Sequence, residues 1–132
     1  KAAALAGRIE NTLFDDAQQA YADRNRKTGA FVSVLSPASF MPLYIGTASR
    51  ERAGAMAKLA ADPKKFYPGM PTVTYDCPAF STDYWRGQTW LNVAFFAIAG
   101  LENYGFSKTA GEIREFLLAM AFDDLPRGIS EN

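Results

Sequence analysis

The chain has 132 residues, 48% apolar and 21% charged, and its fourteen acidic and fourteen basic side chains cancel. That is the make-up of a folded domain with a modest core, and it excludes a disordered segment. A neutral balance also argues against nucleic acid as a partner, because phosphate neutralisation by basic residues carries much of that affinity.

A single cysteine, Cys77, excludes an internal disulfide. No histidine occurs, which excludes a Ser-His-Asp or Cys-His centre within the chain and most zinc sites. Without a histidine beside it, Cys77 reads as a passive thiol. No Gly-rich phosphate loop or metal-ligand cluster is present, so neither cofactor nor metal is expected. Chemistry must rest on carboxylates, tyrosines, lysines or arginines.

The first element is a helix over residues 2–14, with Leu5, Ile9 and Leu13 on one face. Asp15 and Asp16 end it. "AYADRNRKTGAFVSV" reads as a β-hairpin or hairpin-like excursion over residues 20–34, with Gly29 supplying a positive φ at its turn. Asp23 falls in that turn. In "SPASFMPLYIG", Ser36 precedes Pro37 at the first position of a short helix that Gly46 closes. Thr47 or Ser49 caps the next helix, whose narrow stripe is Ala53, Met56, Ala57 and Ala60. Its charges Arg50, Glu51, Arg52 and Lys58 read as a solvated face. Asp62-Pro63 stops it.

Residues 63–81 hold Pro63, Pro68, Pro71 and Pro78 and show no period. So long a loop inside a compact domain is usually functional, and Phe66, Tyr67, Tyr75 and Phe80 argue that this one is ordered. A helix from Thr89 to Tyr104 follows, and Gly105 ends it. Asn92 and Gly100 aside, it is apolar on every face, the pattern of a buried helix. Ser107 or Thr109 starts the last helix, Thr109 and Glu112 matching a capping box, with Ile113, Phe116, Leu117 and Met120 as its stripe. The most apolar run, Val93 to Leu101, is about half the length that crosses a bilayer, so no membrane segment is expected. No signal peptide is visible. Lys1 begins inside a helical pattern and the chain stops at "GISEN", so both ends read as cuts through a longer protein.

The predicted architecture is mainly α, with one small β-hairpin excursion. One-sided helices covering an all-round apolar one suggest a two-layer packing of helical hairpins, as in an α/α toroid. Residues 49–61 and 109–121 suit its outer ring, and the apolar helix its inner ring.

The stretch "STDYWRGQTWLNVAFF" carries both tryptophans. Tyr84, Trp85 and Trp90 offer flat apolar faces with polar handles. With Arg86 and Asn92 they suit a sugar, which presents C–H faces and hydroxyl edges. Gly87 lets backbone approach a ligand or turn sharply. The plainer reading makes the tryptophans core filler and pairs Arg86 with Asp83. Glycoside hydrolysis needs two carboxylates. Asp15, Asp16, Asp123 and Asp124 read as solvated, Asp76 and Asp83 sit in the aromatic loop, and Glu131 by itself reads as a surface residue.

The order of these features resembles a known family. "DYWRGQTWLNVAFFAIAGLENYGF" is similar to the signature of the (α/α)6-barrel glycoside hydrolases related to processing α-glucosidase I, glycoside hydrolase family 63. Mannosylglycerate hydrolase-like enzymes share it, and trehalases are more distant. Members read Tyr-Trp-Arg-Gly-Pro-x-Trp, then a helix ending in Gly-Leu and Tyr-Gly. Tyr84, Trp85, Arg86, Gly87, Trp90, Asn92, Gly100-Leu101 and Tyr104-Gly105 match, and Gln88 replaces the common proline. "SPASFMPL", "DPKKF" and "GMPTVTYDCPAF" resemble preceding family segments.

The resemblance implies that residues 1–132 are one segment, the C-terminal portion of an (α/α)6 catalytic domain. Its parent would cleave α-glucosides or α-mannosides by an inverting mechanism. Tyr84, Trp85 and Trp90 would line the subsite for the cleaved sugar, with Arg86, Gly87 and Asn92 around it. Glu131, followed by Asn132 as in the family's Glu-x-Tyr-like motif, would be the general base. The general acid would lie outside this chain, and the segment alone is expected to be inactive. Its partners would be a carbohydrate and either the rest of the toroid or a second copy, through exposed inner-helix surface. The alternative is a non-catalytic helical carbohydrate-binding or scaffold module, and a third reading makes the tryptophans anchors of a protein interface.

Overall fold

A computed structural model of the chain describes residues 1–124. Helix α1 (Ala2–Leu13) carries the expected stripe, but only its second half meets the core. Ile9 and Leu13 are partly buried and Leu5 is exposed.

The hairpin-like excursion expected over residues 20–34 is present, and a short antiparallel pair that was not expected precedes it. Strand β2 (Ala20–Tyr21) pairs antiparallel with β1 (Phe14–Asp15), Phe14 opposite Tyr21. Their rings meet edge to face at 5.1 Å. The Asn25–Gly29 turn is a second, separate one, closed by an Arg24–Phe31 bridge. Gly29 has φ 74°, as its turn requires. Asp23 is exposed, and its carbonyl accepts from the Val32 amide. Asp15 is buried, which corrects the expectation that it is solvated. Its carboxylate accepts from the Ala17 amide and the Gln18 side chain, so it makes a local turn rather than meeting water. Asp16 and Asp123 are exposed.

Pro37–Phe40 forms a 3₁₀ turn that runs into the short helix α2 (Met41–Tyr44). Gly46, with φ 72°, ends it. Helix α3 (Arg50–Ala61) is capped by Ser49, whose side chain accepts from the Arg52 amide. It buries Ala53, Met56, Ala57 and Ala60, the predicted stripe. Arg52 departs from the expected solvated face. It lies over the Phe14 ring and pairs with Glu10 at 3.0 Å, tying α3 to α1. Glu10 also accepts from the Tyr21 hydroxyl and the Ser49 amide.

Helix α4 (Leu91–Asn103) and helix α5 (Ser107–Asp124) complete the described chain. Helix α5 starts at Ser107, the first of the two expected starts, two residues before Thr109. Of its predicted stripe, Ile113 and Leu117 are buried while Phe116 and Met120 are exposed. Helix α2 packs on α4, α3 on α5, and α4 on α5. The helices therefore form two layers, α2 and α4 in one, α3 and α5 in the other. Gly100 makes the contact of α4 with α2 possible. A Cβ there would stand 2.9 Å from the Tyr44 amide nitrogen and 3.2 Å from the Phe40 carbonyl.

The core between the layers holds Phe40, Leu43, Met56, Leu101 and Ile113, all fully buried. Phe66 and Met70 from the proline-rich loop join them, which makes that loop an ordered one.

Helix α4 is not buried on all sides. It buries Ala94, Ala97, Ile98, Gly100 and Leu101, while Leu91 is 46% and Phe95 59% exposed. Its uncovered face, with Leu117, Leu118 and Ala121 of α5, lines an open apolar groove of about 300 Å³. The sequence pattern reports how apolar the faces are, not whether a neighbour covers each of them.

Candidate functional site

The loop from Ser81 to Trp90 folds back on itself before α4 begins. The Ser81 amide donates to the Arg86 carbonyl at 2.9 Å, and the Arg86 amide to the Asp83 carbonyl at 3.0 Å. Between them Tyr84–Arg86 forms one 3₁₀ turn. Gly87 serves as a point of close approach. A Cβ there would collide with the Ser81 carbonyl and the Phe80 ring. Gln88, where the family pattern has proline, donates its side-chain amide to the Thr82 carbonyl at 2.6 Å. A hydrogen bond from inside the loop stiffens it where a ring would otherwise do so.

The aromatics gather as a platform. Trp85 lies flat on Trp90, with centroids 4.1 Å apart and planes 9° from parallel. Tyr84 stands edge-on to both, 6.3 Å from Trp85 and 5.2 Å from Trp90. Trp90 is 6% exposed and Trp85 41%. Trp85 thus offers the open indole, and Trp90 is the buried base beneath it. The Trp90 indole N–H donates to the Tyr84 carbonyl at 3.5 Å. Tyr84 holds φ 42°, a left-handed conformation that costs a non-glycine residue on the order of 1 kcal/mol. Such strain collects where surrounding structure fixes a residue for a purpose other than stability.

Arg86 is exposed on the same turn. The plain expectation of an Arg86–Asp83 ion pair is not met among the described residues. The two meet through backbone, and Asp83 is exposed. Asn92 is exposed on the first turn of α4, its side-chain oxygen accepting from the Val93 amide. Six of the seven sequence candidates, Tyr84, Trp85, Arg86, Gly87, Trp90 and Asn92, therefore lie within nine residues at one end of α4. Glu131, the seventh, lies outside the described residues.

Asp76 pairs with Lys65 at 2.7 Å, and that hydrogen bond holds its carboxyl below the usual aspartate range. It belongs to the loop's own bracing. Cys77 is a free, partly buried thiol. Sequence reasoning missed the residues beneath the platform. Thr89 donates its hydroxyl to the Gly69 carbonyl, and the Thr72 amide donates to the Gln88 carbonyl at 3.1 Å. Their loop has no period, so no pattern marks them.

A family model, the mannosylglycerate hydrolase MGH1-like glycoside hydrolase domain, matches residues 1–132. The chain belongs to this family. It is 30% identical over 122 residues to the mannosylglycerate hydrolase of Rubrobacter radiotolerans, covering 88% of this chain and 28% of that one. The solved family 63 mannosylglycerate hydrolase of Thermus thermophilus in complex with glucose superposes with a TM-score of 0.78 at 30% identity, over 86% of this chain and 29% of that chain. The neutral trehalase Nth1 of Saccharomyces cerevisiae, at 20% identity, shares the fold with a TM-score of 0.76 over 92% of this chain and 23% of its own. The mainly helical fold with its small antiparallel sheet is that of family 63 (α/α)6 enzymes, as the resemblance implied. The chain spans under a third of the length of each of these relatives. Among the described residues, no helix is long and apolar enough to cross a membrane.

Proposed function

We infer that this segment supplies one wall of a glycoside hydrolase pocket together with its water-activating carboxylate. The segment is the C-terminal portion of an (α/α)6 catalytic domain whose substrates are α-mannosides or α-glucosides. Trp85 is the floor on which the C–H face of the cleaved sugar rests. Tyr84, Arg86 and Asn92 reach its hydroxyl edges, and Gly87 keeps backbone close. A small sugar-containing substrate is supported by the Thermus thermophilus relative, solved in complex with glucose and, separately, with Tris and D-glycerate.

The observation that carries the reading is the course of the last two helices. Leu91 opens α4 directly after the platform, and Ala121, near the end of α5, lines the same groove. The pair is antiparallel, so α5 returns the chain to the platform's end of α4. Glu131 follows Asp124 by seven residues, at most about 25 Å of extended chain. That short tether supports the assignment of Glu131 as the carboxylate that serves a sugar on Trp85. In the inverting mechanism it takes a proton from water as that water attacks the anomeric carbon. A second carboxyl, roughly 6.5–9.5 Å away, protonates the leaving oxygen. That acid is assigned to a residue outside these 132. The apolar groove beside Phe95 is then surface that a further helix of the ring covers.

The test uses two samples, the segment alone and the longest natural protein that contains it. Each is incubated with mannosylglycerate, trehalose and α-glucosides. The segment alone is expected to turn over none of them. Glu131→Gln in the longer protein should cut kcat by about a hundredfold or more while sugar still binds. Turnover by the segment alone that Glu131→Gln abolishes would overturn the half-site. Full activity of the longer Glu131→Gln protein would overturn Glu131 as the base, and sugar binding with no turnover by the unaltered longer protein would leave the non-catalytic module standing instead.

A further inference from the structure

The platform stands on one glycine peptide gripped from both sides. Gly69 is buried between the proline-rich loop and the entrance to α4. Its carbonyl accepts from the Thr89 hydroxyl, and the Tyr75 hydroxyl oxygen lies close against its α-carbon. A Cβ on Gly69 would stand 2.5 Å from the Tyr75 oxygen, so any larger residue there must push the Tyr75 ring aside. Tyr75 is itself fixed, its amide donating to the Lys65 carbonyl at 3.0 Å while the neighbouring Asp76 pairs with Lys65. Three residues on, the Thr72 amide holds the Gln88 carbonyl at 3.1 Å.

Thr89 is the residue immediately before Trp90. Gln88 and Thr89 are therefore both pinned to the loop, and the backbone that carries Trp90 has little freedom. Trp90 in turn is the buried base on which Trp85 lies flat. Stacking at 4.1 Å tolerates little separation of the rings, because dispersion falls steeply with a gap of about half an ångström or more.

We propose that Thr89, acting through the Gly69 peptide and Tyr75, is a positioning residue that sets the level and tilt of the Trp85–Trp90 platform. It touches no sugar. Removing its hydroxyl leaves the buried Gly69 carbonyl without its partner, which favours a rearranged loop. Trp90 follows that rearrangement, and the open face of Trp85 tilts with it. The inference rests on the proposed function only for what the platform is for. The clamp itself stands on geometry alone.

The experiment reads the two separately in the intact protein. The Trp90 indole N–H resonance, assigned by its disappearance in Trp90→Phe, carries the ring-current shift of the stacked Trp85. Glucose quenching of tryptophan fluorescence reports sugar on the platform. Thr89→Val, nearly equal in volume, should lose most of the ring-current shift and weaken glucose binding about tenfold. Thr89→Ser keeps the donor and should restore both. Tyr75→Phe should move both in the same direction by less. A folded Thr89→Val protein with an unmoved indole resonance overturns the proposal. If that variant does not fold, an unmoved resonance in Tyr75→Phe overturns it equally. Should glucose fail to quench the unaltered protein, the sugar reading falls, and the resonance alone still decides the clamp.

Discussion

Gly100→Ala puts the packing of α4 on α2 to a quantitative test. Two effects of opposite sign compete. Alanine is favoured over glycine in a helix interior by about 1 kcal/mol, so on an open face the change stabilises. At Gly100 the added methyl meets the Tyr44 amide nitrogen at 2.9 Å, the Leu43 Cβ at 3.0 Å and the Phe40 carbonyl at 3.2 Å. Two of these atoms are backbone, and the third is fixed to it. No side chain can swing aside, so α2 itself must move. Overfilling a well-packed contact costs typically about 1–3 kcal/mol, and here the neighbours are the fully buried Phe40 and Leu43. The sum is a destabilisation of about 0–2 kcal/mol. Gly54 in α3 provides the control, because a Cβ there meets nothing within 4 Å. Gly54→Ala should stabilise by up to about 1 kcal/mol. Urea unfolding of both variants, at unchanged m-value, measures the difference. If Gly100→Ala raises the midpoint as Gly54→Ala does, the close approach of α4 and α2 is wrong.

Glu10→Gln keeps the shape of the side chain and removes the charge that Arg52 faces. Both partners are partly exposed, so solvent screens the pair, and a loss of about 1 kcal/mol is expected by urea unfolding. Acid should act through Asp15, whose carboxyl the Gln18 side chain holds below the usual aspartate range. A depressed folded-state value gives stability that is present above the unfolded value near 3.8 and is lost as pH falls through the folded one. Unfolding midpoints should therefore drop below about pH 4, and the drop should be smaller in Asp15→Asn. An identical pH profile for the two proteins would refute that assignment.

How much of this was legible in the sequence depends on the length of the periodic signal. The buried stripe of helix α3 was legible, because Ala53, Met56, Ala57 and Ala60 repeat at helical spacing. Gly29, Gly46 and Gly105 all adopt positive φ at the turn or helix end where each was expected to close a segment. The two-residue strands were not legible. A pair so short has no alternation to read, and its register comes from the Phe14–Tyr21 contact. Arg52 read as solvated because a helical wheel does not show that another element brings Glu10 across to it. The platform residues were visible as a cluster. Their stacking order, with Trp90 beneath Trp85, depends on a loop whose anchors Gly69 and Thr89 carry no pattern.

The proline-rich loop has a consequence for how such a site can diversify. Its residues Phe66 and Met70 are fully buried in the core, while its neighbours Gly69 and Thr72 hold the backbone beneath the platform. The same short run of residues thus answers to two selections. A change of loop length that reshaped the pocket would also withdraw an anchor from between the helices. New specificity is more readily reached by single substitutions around the platform than by insertions upstream of it. Lineages of this domain should accordingly conserve the loop's length together with the turn it supports.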